Sequence, residues 1–576
     1  MLKEAIFHQI KSEYAYMIDA KTLVLRLRSK KNDLIKVLLY IGNRIGPRNY
    51  IMKSSLPMAK RYTDQLFDYY EIEIELEKER VIYYFELESE TESIYYLDIG
   101  FCRNVPEDRN TYFCLPYILE SDQVSVPEWA KGAVFYQIFP DRFAKGETKR
   151  YQNIHFADWN EVPKGQFQFF GGNLEGLIEK IPYFKKLGIE CLYLTPIFKS
   201  ETNHRYSTID YYEIDPILGD KDLFKKFVKE LHRAGVKIIL DAVFNHCGDQ
   251  FFAFLDVCEN GKNSHYASWF YLYEDVVDLK KVNYKTWAGV KNMPKLNLKN
   301  PQTKDYFLNV ARFWIEEFDI DGWRLDVANE IDHDFWRAFR KIVKSIKRDA
   351  LIIGEVWHDA RKWLEGDQFD GVMNYMFYNI INDFFAFEKI KVSELDARIQ
   401  GLLAKYKGPI SQVMWNLIDS HDTSRFLYKA NENQQRMKLA VAYQILSLGC
   451  PMIYYADECG VSGGDDPLNR KTVPWEKEEK ETLITYYQEL IALRKNEPAI
   501  RYGSYESVLV DDLRQLYGFK RAYKGEVVVV LMNLSSEQQK VYYKPVQQEK
   551  ILLEKYNVQV FVQNKTDFNQ FSVFKF

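Results

Sequence analysis

The chain has 576 residues, more than one compact core accommodates, so roughly two to four domains are expected. Its 47% hydrophobic and 28% charged residues are those of a globular protein, and a net charge of −4 with no long run of one sign excludes nucleic acid or an acidic membrane surface as the expected partner. No segment holds 18 uncharged apolar residues, which excludes a membrane-spanning helix.

The N-terminal stretch carries Lys3, Glu4, Lys11 and Glu13 where a secretory signal needs an uninterrupted apolar run. The seven cysteines are odd in number, scattered, and contain no C-x-x-C pair, which argues against a disulfide framework or a zinc site. Together these features predict a cytoplasmic protein. Residues 1–125 read as short alternating segments: TLVLRLRS (22–29), LIKVLLYIG (34–42), YYEIEIELE (69–77) and RVIYYFELE (80–88). Their period of two and aromatic or β-branched content predict an N-terminal β-sandwich. SVPEWAKG (125–132) reads as the linker out of it.

From there short apolar strands alternate with amphipathic helices, the pattern of a parallel sheet. The strand candidates are AVFYQIF (133–139), CLYLTPI (191–197), VKIILDAVF (236–244), GWRLDVA (322–328), LIIGEVW (351–357), GVMNYMF (371–377), QVMWNLID (412–419) and PMIYYA (451–456). Helical stretches such as 223–235 and 303–318 lie between them. Eight strands within residues 126–499 predict an α/β fold of the (β/α)₈ TIM-barrel type. The interval 247–298 after the third strand is too long for an ordinary loop, and its Trp269, Tyr271, Tyr273 and Trp287 predict a small inserted subdomain. Residues 500–576 return to β patterning and predict a C-terminal β-sandwich.

In such a barrel the active site lies at the C-terminal ends of the strands. The second strand leads to His204 and Tyr206; the third ends in DAVFNH, with Asp241, Asn245 and His246; the fourth gives GWRLDVANE, with Arg324 and Asp326. The fifth gives GEVWH, with Glu355, and the seventh gives NLIDSHD, with His421 and Asp422. Each residue alone is weak evidence, because a carboxylate after a strand is more often a helix cap or an ion-pair partner. Asp241 is best read as a structural hydrogen-bond acceptor. The convergence of the others on one mouth favours chemistry. Hydrolysis of a glycoside needs two flanking carboxyl groups, one as nucleophile and one as acid/base. Arg324 and Asp326 face the same side of one strand, so the guanidinium is expected to keep Asp326 ionised. Glu355, beside Ile353, Val356 and Trp357 and close to other carboxylates, is placed to keep a proton for the leaving oxygen. Asp422 and His421 are placed to bond sugar hydroxyls. A 16% content of Phe, Trp and Tyr suits stacking on sugar rings, although a large aromatic core accounts for it more simply.

DAVFNH, GWRLDVANE, GEVWH and NLIDSHD resemble, in order and spacing, the signature regions of the α-amylase family, and the likeness covers about 130–475. The resemblance implies Asp326 as nucleophile, Glu355 as acid/base and Asp422 as transition-state stabiliser. It implies that His204, Tyr206, His246, Arg324 and His421 line the substrate site, that Asp466 and Arg470 of DDPLNR bind the next sugar outward, and that Trp357 is a platform on the acceptor side. MPKLN (293–297), the N-terminal β domain and SGGDDPLNRKTVPW resemble the cyclomaltodextrinase, neopullulanase and maltogenic amylase group. That likeness implies retaining, endo-type hydrolysis of α-1,4-glucosidic bonds in cyclomaltodextrins, pullulan and short maltodextrins. It also implies a homodimer in which the N-terminal domain of one subunit covers the site of its partner.

The chain departs from the resembled pattern at one place. Relatives often carry a calcium loop resembling NGDPSND and a later GGD, whereas here stand AKGETKR (144–150) and GGN, ending at Asn173. Calcium needs several oxygen ligands, usually including carboxylates, so no calcium is expected there and no cofactor is predicted. Asn245 is left open to a different metal site. Two other functions compete: a transferase passing the glycosyl group to a sugar, with Asn329 and Glu330 beside the nucleophile, and a glucan-binding protein on an inactive barrel. The presence of all three carboxylates with Arg324 and both strand-end histidines weighs against the second.

Overall fold

The computed structural model describes residues 1–45, 55–77, 79–146, 155–476, 483–546, 550–563 and 570–576. The chain forms two compact units. The first comprises Met1–Ser125 with Ile390–Ser411 and Glu506–Leu513, and the second Val126–Lys389, Gln412–Tyr505 and Arg514–Phe576.

In the first unit, strands Ala15–Met17, Thr22–Lys30, Phe67–Glu75 and Ala59–Thr63 form one antiparallel sheet in that spatial order. A second sheet runs Ser55–Pro57, Lys36–Asn43, Val81–Glu88, Ser93–Leu97 and Gly100–Cys102, with Phe113–Leu115 also paired to Val81–Glu88. Period two does the sorting. Leu23, Leu25 and Leu27 share one buried cluster with Val37, Leu39, Tyr83, Phe85 and Leu87, so the two sheets enclose one core. His8 is buried among these aromatic rings. Its Nδ1 faces the Arg26 carbonyl at 2.7 Å and its Nε2 the Tyr83 hydroxyl at 2.8 Å. A carbonyl only accepts, so the imidazole proton sits on Nδ1 and Nε2 accepts from Tyr83.

In the second unit eight parallel strands form the barrel: β1 Phe135–Ile138, β2 Cys191–Leu194, β3 Lys237–Ala242, β4 Gly322–Leu325, β5 Leu351–Gly354, β6 Gly371–Val372, β7 Trp415–Asn416 and β8 Cys450–Tyr454. They pair in the order β6-β5-β4-β3-β2-β1-β8-β7, and a parallel bridge between Met373 and Trp415 closes the ring. Phe135, Tyr193, Ile239, Ile353, Met373, Trp415 and Met452 fill one buried cluster, the packed barrel interior. The helices follow their local signals. Lys221–Arg233 starts at Asp220, whose side chain accepts from the Leu223 N–H, and buries Phe224, Phe227, Val228 and Leu231. Pro301–Phe318 opens with Pro301 after an Asn300 cap.

Two expected strands are shorter than the sequence pattern suggests. GVMNYMF pairs only over Gly371–Val372, because Asn374 accepts from the Phe377 N–H and starts the helix Tyr375–Ile381. QVMWNLID pairs only over Trp415–Asn416. The interval 247–298 is ordered: helix Phe252–Asn260 packs Phe254 against Phe270 and Tyr284, and short bridges join Phe270 to Leu296 and Thr286 to Pro294. At the C-terminal end, Leu516–Tyr523, Glu526–Asn533, Asn557–Gln563 and Phe571–Lys575 form an antiparallel meander. No described helix is long and apolar enough to cross a membrane.

In the GGN segment, a Cβ on Gly172 would lie 2.1 Å from the Pro140 carbonyl oxygen, so the chain needs glycine there. Asn173 caps the helix Leu174–Glu179, its side-chain oxygen accepting from the Gly176 N–H at 2.9 Å and the Gly146 N–H at 3.1 Å. Residues 147–150 of the AKGETKR stretch lie outside the described residues.

Candidate active site

Parallel pairing sets the site. Asp241 on β3 is the register partner of Arg324 on β4. The ladder continues past both strands, with the Asp326 N–H bonded to the Ala242 carbonyl and the Glu355 N–H to the Leu325 carbonyl. This carries three acidic side chains onto one guanidinium. Arg324 Nη1 donates to Asp241 Oδ1 at 3.0 Å and to Asp326 Oδ1 at 2.8 Å. Its Nη2 lies 2.9 Å from Glu355 Oε2 and 4.0 Å from Asp422 Oδ2.

Asp326 and Glu355 are 5% and 7% exposed, so both sit at the floor of the mouth rather than on its rim. Among the described residues Asp326 Oδ2 has no hydrogen-bond partner. Glu355 Oε2 accepts from the Val327 N–H at 2.9 Å, and its Oε1 accepts from Trp357 Nε1 at 2.9 Å. Val327 is β-branched yet has φ 46°, a conformation strained for such a residue, and that turn aims its N–H at Glu355. Trp357 stacks on Tyr375 at 3.8 Å and leaves 44% of its surface exposed.

The other predicted residues surround this floor. Tyr206 donates its hydroxyl to Asp241 Oδ2 at 2.9 Å and stacks on His421 with an interplanar angle of 5°. His421 Nδ1 lies 2.6 Å from Gln137 Nε2, and its Nε2 lies 3.2 Å from Asp422 Oδ2. His204 Nδ1 accepts from the Tyr206 N–H at 3.0 Å, which leaves the proton on Nε2 facing Gln166 Oε1 at 3.1 Å. His246 stacks on Trp287, and its buried Nε2 has no hydrogen-bond partner among the described residues. Arg470 reaches Asp466 at 3.2 Å, Asp422 at 3.8 Å and the His421 carbonyl at 3.0 Å.

These groups line or back one cavity of about 560 Å³. Nine of the eleven predicted residues face it: His204, Tyr206, His246, Asp326, Glu355, Trp357, Asp422, Asp466 and Arg470. Arg324 and His421 lie fully buried behind the lining. Sequence reasoning passed over Gln166, Val290 and Met293, which also line it, and did not assign Trp287 to the site. It also passed over Gln137 and Tyr193, which hold His421 and Asp241 from β1 and β2. The signal for Gln137 was available: it is the polar residue in the apolar run AVFYQIF.

Burial pushes the Asp326 carboxyl well above the ordinary carboxylate range; Arg324 opposes the shift, while Glu355 and Asp241 add to it. Arg324 itself favours the charged form of Asp326, as expected, against desolvation and the two neighbouring carboxylates. One cation shared among several carboxylates does not offset their removal from water. Burial likewise raises Asp241 to about 6 against the pull of Arg324, and raises Asp422 against Arg324 and Arg470. Burial lowers His246 to about 3, with Lys295 adding to the effect. It holds His204 and His421 well below the usual imidazole value, helped by Arg470 in both and by Arg324 at His421. The three imidazoles are neutral near pH 7 and offer hydrogen bonds rather than charge.

Asn245, left open as a metal ligand, has its side-chain oxygen bonded to the Lys295 ammonium, which also lies 3.2 Å from Glu330 Oε2. Among the described residues no group of three or more His, Cys, Asp or Glu is arranged to hold a metal ion.

The family described as alpha amylase, catalytic domain, matches residues 137–480, and the alpha amylase N-terminal Ig-like domain matches residues 1–119. The chain belongs to the α-amylase family. A cyclomaltodextrinase of Thermoanaerobacter pseudethanolicus is 44% identical over 96% of this chain and 96% of that protein. Neopullulanase 2 of Thermoactinomyces vulgaris is 44% identical over 94% of this chain and 92% of its own length. A solved structure of a cyclomaltodextrinase superposes with a TM-score of 0.89 at 40% identity, covering 94% of this chain and 93% of the other. Within the α-amylase family the chain is thus a glycoside hydrolase of the cyclomaltodextrinase, neopullulanase and maltogenic amylase type, and it carries the family's barrel and N-terminal domain.

Proposed function

We propose that the chain hydrolyses α-1,4-glucosidic bonds in cyclomaltodextrins, pullulan and short maltodextrins with retention, in the endo mode, through a covalent glycosyl group on Asp326. The observation that carries the reading is the unpartnered, buried Asp326 Oδ2 in the cavity, beside a Glu355 carboxyl held by Val327, Trp357 and Arg324. Asp326 Oδ2 attacks the anomeric carbon. The bond to the leaving oxygen breaks as Glu355 delivers a proton to it. Glu355 then takes a proton from water, which attacks the same carbon and releases Asp326. Asp326 attacks as the carboxylate, the form that Arg324 Nη1 favours from 2.8 Å. Asp422 and His246 bond the sugar hydroxyls as positive charge grows on the ring, His421 positions Tyr206 and Asp422 from behind the lining, and Asp466 with Arg470 holds the next sugar. The activities in the relatives' names, cyclomaltodextrinase and neopullulanase, support this substrate class.

The same reading extends to place and assembly. Relatives named intracellular maltogenic amylase, from Bacillus subtilis at 38% identity, support a cytoplasmic location. A homodimer in which the N-terminal domain caps the partner's cleft belongs to the same proposal, and the matched N-terminal Ig-like domain is the element it requires.

The test is the initial rate on β-cyclodextrin, pullulan and soluble starch at equal mass, with Glu355→Gln as control. We expect β-cyclodextrin to be turned over fastest and the variant to lose about 10²–10⁴-fold. Starch fastest would mean an open cleft, and no turnover of any of the three would overturn the reading.

A further inference from the structure

The Asp422 carboxylate is held more loosely than that of Asp326. It lies 3.2 Å from His421 Nε2, 3.8 Å from Arg470 and 4.0 Å from Arg324, whereas Arg324 reaches Asp326 at 2.8 Å. Its place in the mouth therefore depends on its backbone. Residues 420–423 make a turn that closes on itself. The Ser420 N–H donates to Thr423 Oγ1 at 3.0 Å, and the Asp422 N–H donates to Ser420 Oγ at 3.2 Å.

Asn469 clamps that turn from below. Its Nδ2 donates to the His421 carbonyl at 2.8 Å and to the Thr423 carbonyl at 2.9 Å, the residues on either side of Asp422. Carbonyls only accept, so the carboxamide must present its nitrogen to both. Arg470 Nε adds a bond to the same His421 carbonyl at 3.0 Å. Asn469 is fully buried in the short turn Leu468–Arg470. Its own carbonyl accepts from Arg425 Nε at 2.9 Å, and Arg425 also bonds the Tyr455 carbonyl at 2.8 Å and Asp457 at 2.9 Å, which fixes the turn to the end of β8. Among the described residues Asn469 Oδ1 has no hydrogen-bond partner. A buried amide left half-satisfied is costly, and an apolar side chain would fill the space without that cost. The position is thus used for its two donors.

The segment that carries Asn469 also carries Asp466 and Arg470, whose side chains pair at 3.2 Å. We propose that Asn469 is a positioning residue that couples this outer-sugar segment to Asp422. A sugar held by Asp466 and Arg470 fixes the segment, and the clamp passes the constraint to the turn bearing Asp422. Part of the outer sugar's binding energy then appears as rate rather than as affinity. This deepens the hydrolase reading and rests on it.

The test compares kcat and KM on 4-nitrophenyl α-maltoside and 4-nitrophenyl α-glucoside, which differ by the outer sugar alone. We expect the native chain to have the higher kcat on the maltoside. In Asn469→Ala and Asn469→Asp that advantage should collapse toward one, with kcat on the maltoside down about 10²-fold and KM little changed. Val473→Ala, which removes buried apolar atoms from the same stretch and leaves the clamp intact, should keep the native ratio. A native ratio in both Asn469 variants would overturn the proposal, as would an equal collapse in Val473→Ala, which would assign the effect to packing. Equal kcat on the two substrates in the native chain would sink the coupling and leave the hydrolase reading standing. Release of nitrophenol from neither would sink the hydrolase reading itself.

Discussion

Removing the Arg324 guanidinium would leave Asp241, Asp326 and Glu355 at the bottom of a closed mouth with no nearby counter-charge. Breaking a buried ion pair by deleting one partner costs about 3–5 kcal/mol. We therefore expect Arg324→Ala to lower stability by about that amount, seen in denaturant unfolding, and to abolish turnover. Arg324→Lys should recover part of the stability but little activity, because a single ammonium cannot reproduce both the Nη1 hydrogen bonds to Asp241 and Asp326 and the Nη2 ion pair with Glu355. Equal activity in Arg324→Lys and the native chain would refute the shared-guanidinium account. The strand-end acids and histidines were legible in the sequence because a parallel barrel puts successive strand ends at one mouth. The residues that hold them were less so. Tyr193 reads as one more apolar residue of a buried strand, and Trp287 reaches His246 only through the path of a long insertion, which no periodicity encodes.

At the scale of elements, the N-terminal sandwich has its own titrating group. Burial pulls His8 from the usual 6.5 down to about 4, with the bond to the Arg26 carbonyl opposing. The folded state therefore prefers neutral His8. Its contribution is fully present above pH 6.5 and is lost as pH falls through the window from 6.5 to about 4. The displacement corresponds to about 3 kcal/mol. A pH series of denaturant midpoints should show the sandwich weakening across that window, and His8→Phe should flatten the dependence while costing about 1–3 kcal/mol at pH 7 from the stranded Arg26 carbonyl and Tyr83 hydroxyl. A slope unchanged by the substitution would assign the titration to another group. Strands and helices were largely readable from periodicity and caps. The sixth strand was not, because GVMNYMF remains apolar after Asn374 has already turned the chain into a helix. Hydrophobic content cannot separate a buried strand from the buried first turn of a helix.

At the scale of the whole molecule, two expectations concern cations and assembly. The Asn173 side-chain oxygen already accepts from the N–H groups of Gly146 and Gly176, leaving it poorly placed to ligate calcium. Thermal unfolding with and without chelator should therefore give the same midpoint, and a large drop on chelation would refute the expectation. The homodimer is checked by mass in solution at micromolar protein. A monomer that still prefers β-cyclodextrin to starch would show that the cleft is narrow without a partner's cap.

The balance of charge around the mouth carries a consequence for the company this enzyme keeps. Among the described residues, the ion pairs that Asp241, Asp326, Glu355, Asp422 and Asp466 make with arginine are to Arg324 and Arg470. A neutral glucan enters such a mouth without electrostatic opposition. A phosphorylated sugar brings its charge toward unbalanced carboxylates, and one like-charge pair at about 6 Å costs about 3 kcal/mol at an effective dielectric of about 20. On this count a phosphorylated sugar should inhibit β-cyclodextrin turnover less than its neutral counterpart does, and equal inhibition by the two would refute the effect.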